Sequence, residues 1–518
     1  MWKVSRDLSL KAKIHANYGA NEDYYDFIRS YKSDWFNYVA YIDENTVKKH
    51  ADRAKKLDTI EEDQLNLENI NVTEVDVDYL KENFKEDISL DVVSNKTTTT
   101  VNLPARTPVS IQDQTKRNAF AISVGGMVVS IQWLPQNIPE SEVSYLAVSL
   151  TYNPDGVNLL DPEFSIYNKS NHSTNKSAIQ IWKYDVGKNE LDLEHVLITS
   201  NHGTAHNLKW VPLTSTETTL GVLAAQFTDG TVKLLKINKN LPKISILDQP
   251  SLSYSLSCTK SSLNITAYDF IGTEKILVGA TDGSLSEFML PFHYQGTDID
   301  IPSYKTVVCA GPISSVCCAL GAGGKYLCLI YSIARRPFSF IYDNSLQDVY
   351  TSIARRNTAP GFNYVLQNLV HSTLADVCQI FALRSAHSLS SSLTKLDSQV
   401  ICTRVSEVLG HPFFAIGSSN GDVVIVNYMR KYLSARAAFR HTPLKIWKFL
   451  APSNGKRLTL VGDVQILEQD SAVPPSPAKT EGSVTAFGWN ENVIGSSAYA
   501  VANASGVLLV ERLDPKYL

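Results

Sequence analysis

The stretch LGVLAAQFTDGTVKLLKI, residues 220–237, decides the fold. An apolar run ends at Thr228-Asp229-Gly230, and a second, half-apolar run follows at once. Asp-Gly supplies the positive φ that a tight hairpin turn requires, so the stretch predicts two antiparallel strands joined by a short turn. The first strand is apolar on both faces, which is typical of a strand buried between neighbouring sheets.

The same unit recurs along the chain. Each copy has a strand, a loop, a second apolar strand, a small turn that ends in glycine, and a third strand. Further copies place their turn glycine at Gly283, Gly421 and Gly506, and six copies can be traced in all. Short strands that repeat every 40 to 50 residues or so are the signature of a β-propeller.

We therefore predict an all-β fold, a WD-type β-propeller that occupies residues 106–518. Seven blades are expected, one of them degenerate, because residues 344–398 stretch the spacing between copies. Within that insertion, residues 363–381 could form either a helix or a degraded blade.

Closure of a propeller requires the two ends of the chain to share one blade, which removes free strand edges. A strand at 119–123 or at 109–111 should therefore complete the blade that contains residues 507–510.

The first 105 residues differ from the rest. Residues 1–58 form an aromatic-rich extension, predicted to be helical in part, with a short polar helix at 46–56. Exposed aromatic clusters are costly, so this extension should dock on the main body or on a partner; a helical cap and a dedicated binding site both remain open. Residues 59–105 are rich in acids and thin in apolar residues, which predicts a solvated acidic linker.

The composition bounds the function. The 518 residues are 44% hydrophobic with a net charge of -4, so the chain can bury a large core but has no global basic excess. Nucleic-acid binding would have to come from a local patch or from partners. The seven cysteines lie mostly in apolar segments without a C-x-x-C pair, which indicates reduced thiols in a cytosolic or nuclear protein.

Catalytic motifs are not evident in the sequence. The glycine-rich stretch at 321–326 departs from a phosphate-binding loop, which needs glycine where Ala319 stands and Ser or Thr where Tyr326 stands. His202 and His206 are four residues apart but precede a strand, whereas metal binding at that spacing usually relies on a helix. A propeller enzyme would need acids or histidines that converge at the channel mouth, and none can be placed. We expect no enzyme activity, no cofactor and no metal site.

Local basic charge is the remaining functional signal. Ser-Ile-Ala-Arg-Arg occurs at 332–336 and again at 352–356, and a third cluster spans 430–441. Paired arginines can hold phosphate or an acidic partner, although a solvated loop is the alternative for each cluster. The candidate nucleic-acid-binding or partner-binding residues are Arg335, Arg336, Arg355, Arg356, Arg430, Lys431, Arg436 and Arg440.

Several segments together point to one family. They are AIQIW at 178–182, NHG at 201–203 with NLKWVP at 207–212, LGVLA at 220–224 with TDGTV at 228–232, and the run from 426 to 448 that ends in Lys-x-Trp-Lys. This pattern, over roughly residues 126–513, resembles the WD-repeat subunit of TFIIIC, the RNA polymerase III transcription factor that binds the internal promoter of tRNA genes.

The resemblance, to the fungal tau-type subunit of the B-box-binding module, implies a nuclear, non-enzymatic scaffold subunit. Its partners would be a second propeller subunit and the large B-box-binding subunit. DNA would be contacted indirectly or through a basic patch, and no membrane is involved. The alternative is a WD-repeat adaptor of another nuclear complex, such as a chromatin or ubiquitin-ligase assembly.

Overall fold

A computed structural model gives the placement of most of the chain. The residues that it describes are 2–85, 87–136, 141–154, 175–258, 261–294, 296, 298–321, 323–332, 338–342, 349–350, 359–373, 376–385, 390–433, 443–452, 457–467 and 480–514. None of the described helices is long and apolar enough to cross a membrane.

Helices and short strands make up the N-terminal part. They are α1 Trp2–Tyr18, α2 Glu22–Trp35, α3 Glu44–Lys49, β1 Asn71–Glu74, α4 Val77–Asn83, β2 Ile88–Ser94, β3 Thr97–Leu103, β4 Val109–Ser110 and α5 Gln112–Thr115. Single 3-10 turns occupy Ala51–Arg53 and Glu62–Gln64.

The strands of the first half of the main body follow in chain order. They are β5 Asn118–Ser123, β6 Met127–Trp133, β7 Val143–Tyr152, β8 Lys176–Asp185, β9 Glu190–Ile198, β10 Ala205–Trp210, β11 Thr219–Phe227, β12 Val232–Asn238, β13 Ile244–Gln249, β14 Leu252–Tyr254, β15 Leu256–Cys258, β16 Ser261–Leu263, β17 Ile265–Ile271, β18 Lys275–Ala280, β19 Ser284–Met289 and β20 Tyr304–Val307.

The second half continues the pattern. Its elements are β21 Ile313–Leu320, β22 Tyr326–Ser332, β23 Phe338–Ile341, β24 Val349–Tyr350, β25 Gly361–Asn363, β26 Asn368–Thr373, β27 Val377–Ala382, β28 Ser390–Lys395, β29 Val400–Val405, β30 Phe413–Ser418, β31 Asp422–Asn427, α6 Met429–Tyr432, β32 Leu444–Leu450, β33 Leu458–Val461, β34 Gln465–Ile466, β35 Val484–Trp489, β36 Ala498–Asn503 and β37 Val507–Arg512. Single 3-10 turns occupy Leu383–Ser385 and Thr480–Gly482.

Antiparallel sheets built from these strands form a β-propeller, as predicted. In the described part of the chain the sheets of the ring are I (β6 to β9), II (β10, β11, β12, β14), III (β17 to β20), IV (β21 to β24), V (β25 to β28), VI (β29 to β33) and VII (β35, β36, β37, β5, β4), and β15 and β16 form a separate two-stranded sheet. First strands of neighbouring sheets contact one another, for example β17 with β21 and β35 with β6, so they line the centre of the ring. Sheets I to IV, VI and VII correspond to the six repeats traced in the sequence.

The opening stretch has the predicted structure. Every residue of β11 is buried, and β11 pairs antiparallel with β12. Gly230 has a φ of 87°, and a Cβ atom there would lie 2.6 Å from the side-chain oxygen of Asn264. The turn therefore needs glycine for its backbone conformation and for its close approach to the neighbouring sheet.

The ring closes as expected from the two ends of the chain. β5 pairs antiparallel with β37 along its whole length, from Asn118 opposite Arg512 to Ser123 opposite Val507. β4 then adds outside β5. Both strands suggested for the closure are therefore present in one sheet, and this prediction is confirmed.

The insertion at 344–398 contains sheet V, so the helical alternative for residues 363–381 is wrong. Gln367 has a φ of 46°, which no α-helix accommodates, and it ends a tight turn between β25 and β26. Asn363 fixes the start of that turn, because its Nδ2 donates to the carbonyl of His411 and its Oδ1 accepts from the amide of Leu366.

The segment predicted to be an acidic linker is structured. β1 pairs with β13, and the hairpin β2–β3 adds to sheet VI through a parallel pairing of β2 with β33. Ile88, Leu90 and Val92 alternate with more exposed residues and are buried. A low apolar content was misleading here because one buried face of a single hairpin needs only a few apolar residues. The domain boundaries proposed at residues 58 and 105 stay predictions.

The aromatic extension docks on the propeller, as expected. The hydroxyl of Tyr31 donates to the carbonyl of Gly410 at 2.6 Å, and Asn427 Nδ2 donates to the carbonyl of Trp35 at 3.0 Å. Trp35 and Tyr31 are almost fully buried. We call residues 10–85 the arm.

The arm bridges two sheets that are not neighbours in the ring. The amide of Lys55 donates to Val408 in sheet VI, and three residues later the amide of Asp58 donates to Pro212 in sheet II. Both carbonyls lie in loops between the first and second strands of their sheets. These loops therefore share one face, which we call the arm face; the glycine turns of the repeats lie at the other end of the strands, on the turn face.

Candidate basic interface on the arm face

Helix α6 presents the two candidate basic residues that the structure describes. It follows β31 directly, and Met429 and Tyr432, one turn apart, are buried. Because Met429 and Tyr432 point into the core, Arg430 and Lys431 between them point toward the surface. Both side chains are half-buried there. The position of these two side chains is therefore set by the packing of their neighbours.

Arg430 and Lys431 both contact other parts of the protein. The guanidinium of Arg430 lies 5.7 Å from the ring centroid of Phe36, in the arm. Lys431 Nζ donates to the carbonyl of Leu393 in sheet V at 3.4 Å. Burial lowers the pKa of each of these two side chains below its ordinary value.

The arm brings two further cations that the sequence did not single out. Lys32 Nζ donates to the carbonyl of Leu433 at 2.8 Å and lies 5.5 Å from the ring centroid of Phe36. Burial, and then repulsion from Lys13, lowers the pKa of Lys32; burial also lowers that of Lys13. We call Lys13, Lys32, Arg430 and Lys431 the basic cluster.

The electrostatics of the basic cluster favour an anion. Desolvation makes each positive charge more costly, and the pKa of each member falls for that reason first. Lys32 and Arg430 approach the same ring of Phe36. A carboxylate or phosphate placed beside these side chains would offset their desolvation and the repulsion between Lys13 and Lys32.

The other predicted candidates lie outside the described residues. They are Arg335, Arg336, Arg355, Arg356, Arg436 and Arg440. In the sequence, the first two fall between β22 and β23, and the last two between α6 and β32. A role for any of the eight stays a prediction.

The centre of the ring carries charges that sequence analysis missed. Lys209 Nζ lies 2.6 Å from Asp269 Oδ1, and Asp269 Oδ2 accepts from the amide of Cys318 at 2.6 Å. Burial alone would lower the pKa of Lys209, but the attraction of Asp269 raises it. Arg404 Nη1 lies 3.9 Å from Glu407. Each of these charges has an opposite charge beside it, which suits a structural role.

A buried carboxylate organises the arm face. Glu491 accepts hydrogen bonds from the amides of Glu407 and Leu409, at 2.7 and 3.0 Å, and from the hydroxyl of Ser406 at 2.8 Å. Burial raises the pKa of Glu491 to about 7. The loop that it holds also binds the arm, through Val408 and Gly410.

Metal ligands do not cluster in the described part of the chain: it has no group of three or more His, Cys, Asp or Glu side chains that could hold a metal ion. The six cysteines with described side chains are free thiols, and five of them are buried.

Comparisons with known proteins support the resemblance noted in the sequence. No protein-family model matches the chain. It is 26% identical to the transcription factor tau 91 kDa subunit of Saccharomyces cerevisiae over an alignment of 421 residues that covers 77% of this chain and 58% of the relative. It is 23% identical to the transcription factor tau subunit sfc6 of Schizosaccharomyces pombe over 329 residues, 62% of this chain and 52% of that protein. The chain thus spans little more than half the length of these relatives.

Proposed function

We propose that this homologue of the two transcription factor tau subunits is a non-enzymatic scaffold subunit of a TFIIIC complex in the nucleus. It would support assembly on the internal promoters of tRNA genes, including recognition of the B-box, and so RNA polymerase III transcription. The observation that carries this proposal is the similarity to the tau 91 kDa subunit over 77% of the chain. The paired charges at the centre of the ring agree with a scaffold rather than an enzyme.

The proposed partners are the second propeller subunit and the large B-box-binding subunit. The arm already occupies part of the arm face, from sheets V and VI across to sheet II. A partner would therefore engage either the turn face, the outer edges of the sheets, or the rim of the arm face where the basic cluster lies.

We assign seven blades to the propeller and count sheet V as the degenerate one. It has four strands, as do sheets III and IV, and its first strand contacts those of sheets IV and VI. Its first strand is short, with only the residues Gly361–Asn363, which explains why the repeat is hard to recognise in the sequence.

Affinity purification of the chain from its own cells, followed by mass spectrometry, tests the proposal. We expect the other TFIIIC subunits and tRNA-gene DNA among the enriched material. Recovery of chromatin or ubiquitin-ligase components in their place would support the alternative, a WD-repeat adaptor of another nuclear complex.

The contribution of the basic cluster can be tested separately. We expect the double variant Arg430→Gln, Lys431→Gln to weaken binding of the purified complex to tRNA-gene DNA. If both side chains contact phosphates, the slope of log K against the logarithm of the salt concentration should also become less steep by roughly two. Glutamine keeps part of the aliphatic stem, so packing against the arm should survive. Lys188→Gln with Lys305→Gln, at two exposed lysines of sheets I and III, is the matched control. Equal behaviour of the two double variants would remove the cluster as a DNA-contacting site.

A further inference from the structure

A cavity of about 470 Å³ opens between the arm and the sheets IV and V. The turn between α1 and α2 forms one wall, with Tyr18 and Tyr24. Leu327 and Ile341 of sheet IV and Leu383 of sheet V form the apolar part of the other walls. This volume falls within the range of ligand-binding pockets, roughly 300 to 1,000 Å³.

The charges at the cavity have one sign. Lys325 and Arg384 are both exposed and both line it, and none of its lining residues is acidic. Arg384 donates to the backbone carbonyl of His15 at 3.2 Å, which positions its guanidinium at the rim. No described carboxylate lies within ion-pair distance of either side chain. The rim therefore carries positive charge that the described part of the chain does not neutralise.

One residue of the cavity wall exposes a large aliphatic side chain. Ile341, at the end of β23, is 42% exposed, whereas most large aliphatic residues of the sheets are buried. An exposed apolar surface inside a concave site, rimmed by charge, marks a place where a partner removes it from water. A phosphate backbone would gain nothing from this aliphatic surface, whereas an amino-acid side chain would.

We propose that this cavity binds an acidic peptide segment of a partner protein, with one bulky apolar side chain of that segment against Ile341 and Leu327. The flanking acidic residues would pair with Lys325 and Arg384. The observations that carry this are the single sign of the charges that line the cavity and the exposed aliphatic side chain of Ile341. The site does not depend on the proposed role in transcription, because its chemistry selects a class of peptide rather than one complex.

A defined peptide tests the site on the purified full chain. The probe is a short fluorescein-labelled peptide of Asp and Glu residues around a central Leu-Phe pair, and fluorescence anisotropy measures its binding. We expect saturable binding that weakens with added salt. Replacing Leu-Phe by Ser-Ser should weaken peptide binding by about tenfold or more, since burial of one large apolar side chain contributes at least a tenfold gain in affinity.

Two variants place the peptide in the cavity. Lys325→Glu should weaken binding by about five- to tenfold, because an exposed attraction becomes a repulsion. Ile341→Ser should weaken binding of the Leu-Phe peptide but leave the weak binding of the Ser-Ser peptide unchanged. Lys305→Glu, at an exposed lysine of sheet III, is the charge-matched control and should bind like the parent. Equal thermal midpoints of all variants would show that the fold is retained.

Several results would overturn the proposal. They are absence of peptide binding, equal affinity for the Leu-Phe and Ser-Ser peptides, and equal affinity of the Lys325→Glu and Lys305→Glu variants. Displacement of the peptide by single-stranded DNA with the same dependence on Lys325 would identify a nucleic-acid site instead. None of these results bears on whether the chain co-purifies with TFIIIC subunits.

Discussion

Arg117 and Glu511 form a buried ion pair where the two ends of the chain meet, and we expect its loss to open the ring. Arg117 Nε and Nη2 donate to the two carboxylate oxygens of Glu511, both at 2.7 Å, and each side chain is only 3% exposed. Glu511 also accepts from Trp447 Nε1 at 2.6 Å and from the hydroxyl of Tyr499. The pair therefore links Arg117, directly before β5, and Glu511, within β37, to sheet VI.

The perturbation is Arg117→Met, which keeps the volume of the stem and removes the charge. Glu511 then remains buried without its counterion, a situation that typically costs about 3–5 kcal/mol. Arg117 also donates to the carbonyls of Gly462 and Ile446 and lies 3.8 Å from the ring centroid of Trp447, so the upper part of that range is expected. Urea titration followed by tryptophan fluorescence measures the loss of unfolding free energy.

A second variant separates the ion pair from the packing. Arg117→Met with Glu511→Gln leaves no buried charge uncompensated, so it should be more stable than Arg117→Met alone by about 1–3 kcal/mol. Limited proteolysis should cleave near β37 faster in the single variant. A loss below about 1 kcal/mol for Arg117→Met, or no recovery in the double variant, would refute this account of the closure.

Three further predictions concern single side chains. Since the folded pKa of Glu491 is raised from 4.5 to about 7, the folded protein holds a proton that the unfolded chain releases, so stability should fall as pH rises through this window. Thermal midpoints across that range should show the fall, on the order of 3 kcal/mol at most, and Glu491→Gln should lose it. Gly230→Ala should cost about 1–3 kcal/mol because of its positive φ and its close neighbour, whereas Gly323→Ala, with open space around the new Cβ, should be neutral in the same urea titration. Tyr31→Phe leaves the buried carbonyl of Gly410 without this donor, so hydrogen exchange of the α2 amides should speed up by roughly the equivalent of 1 kcal/mol; unchanged exchange would contradict the role given to that hydrogen bond.

Local signals in the sequence were enough to predict the repeated sheets. The glycine turns at 230, 283, 421 and 506 all have positive φ in the structure, because only the identity of a few adjacent residues decides such a turn. The strand partners at the closure could be predicted as well, because a propeller must remove its free edges.

Long-range contacts account for what sequence analysis missed. Lys32 reaches Leu433 across 401 residues of sequence, and nothing near either residue predicts that meeting. Sheet V was hard to identify because its first strand has only three residues. The cavity beside Ile341 arises only when the arm lies on sheets IV and V, so no local pattern could indicate it.

The closure of the ring also fixes when the molecule can be completed during synthesis. Arg117 and Glu511 are 394 residues apart, so β5 leaves the ribosome long before its partner β37 exists. At typical rates of about 5–20 residues per second, that interval lasts roughly 20–80 s. Throughout it, the edge of β5 that will pair with β37 has no partner, and an unpaired strand edge is a site where other chains can add.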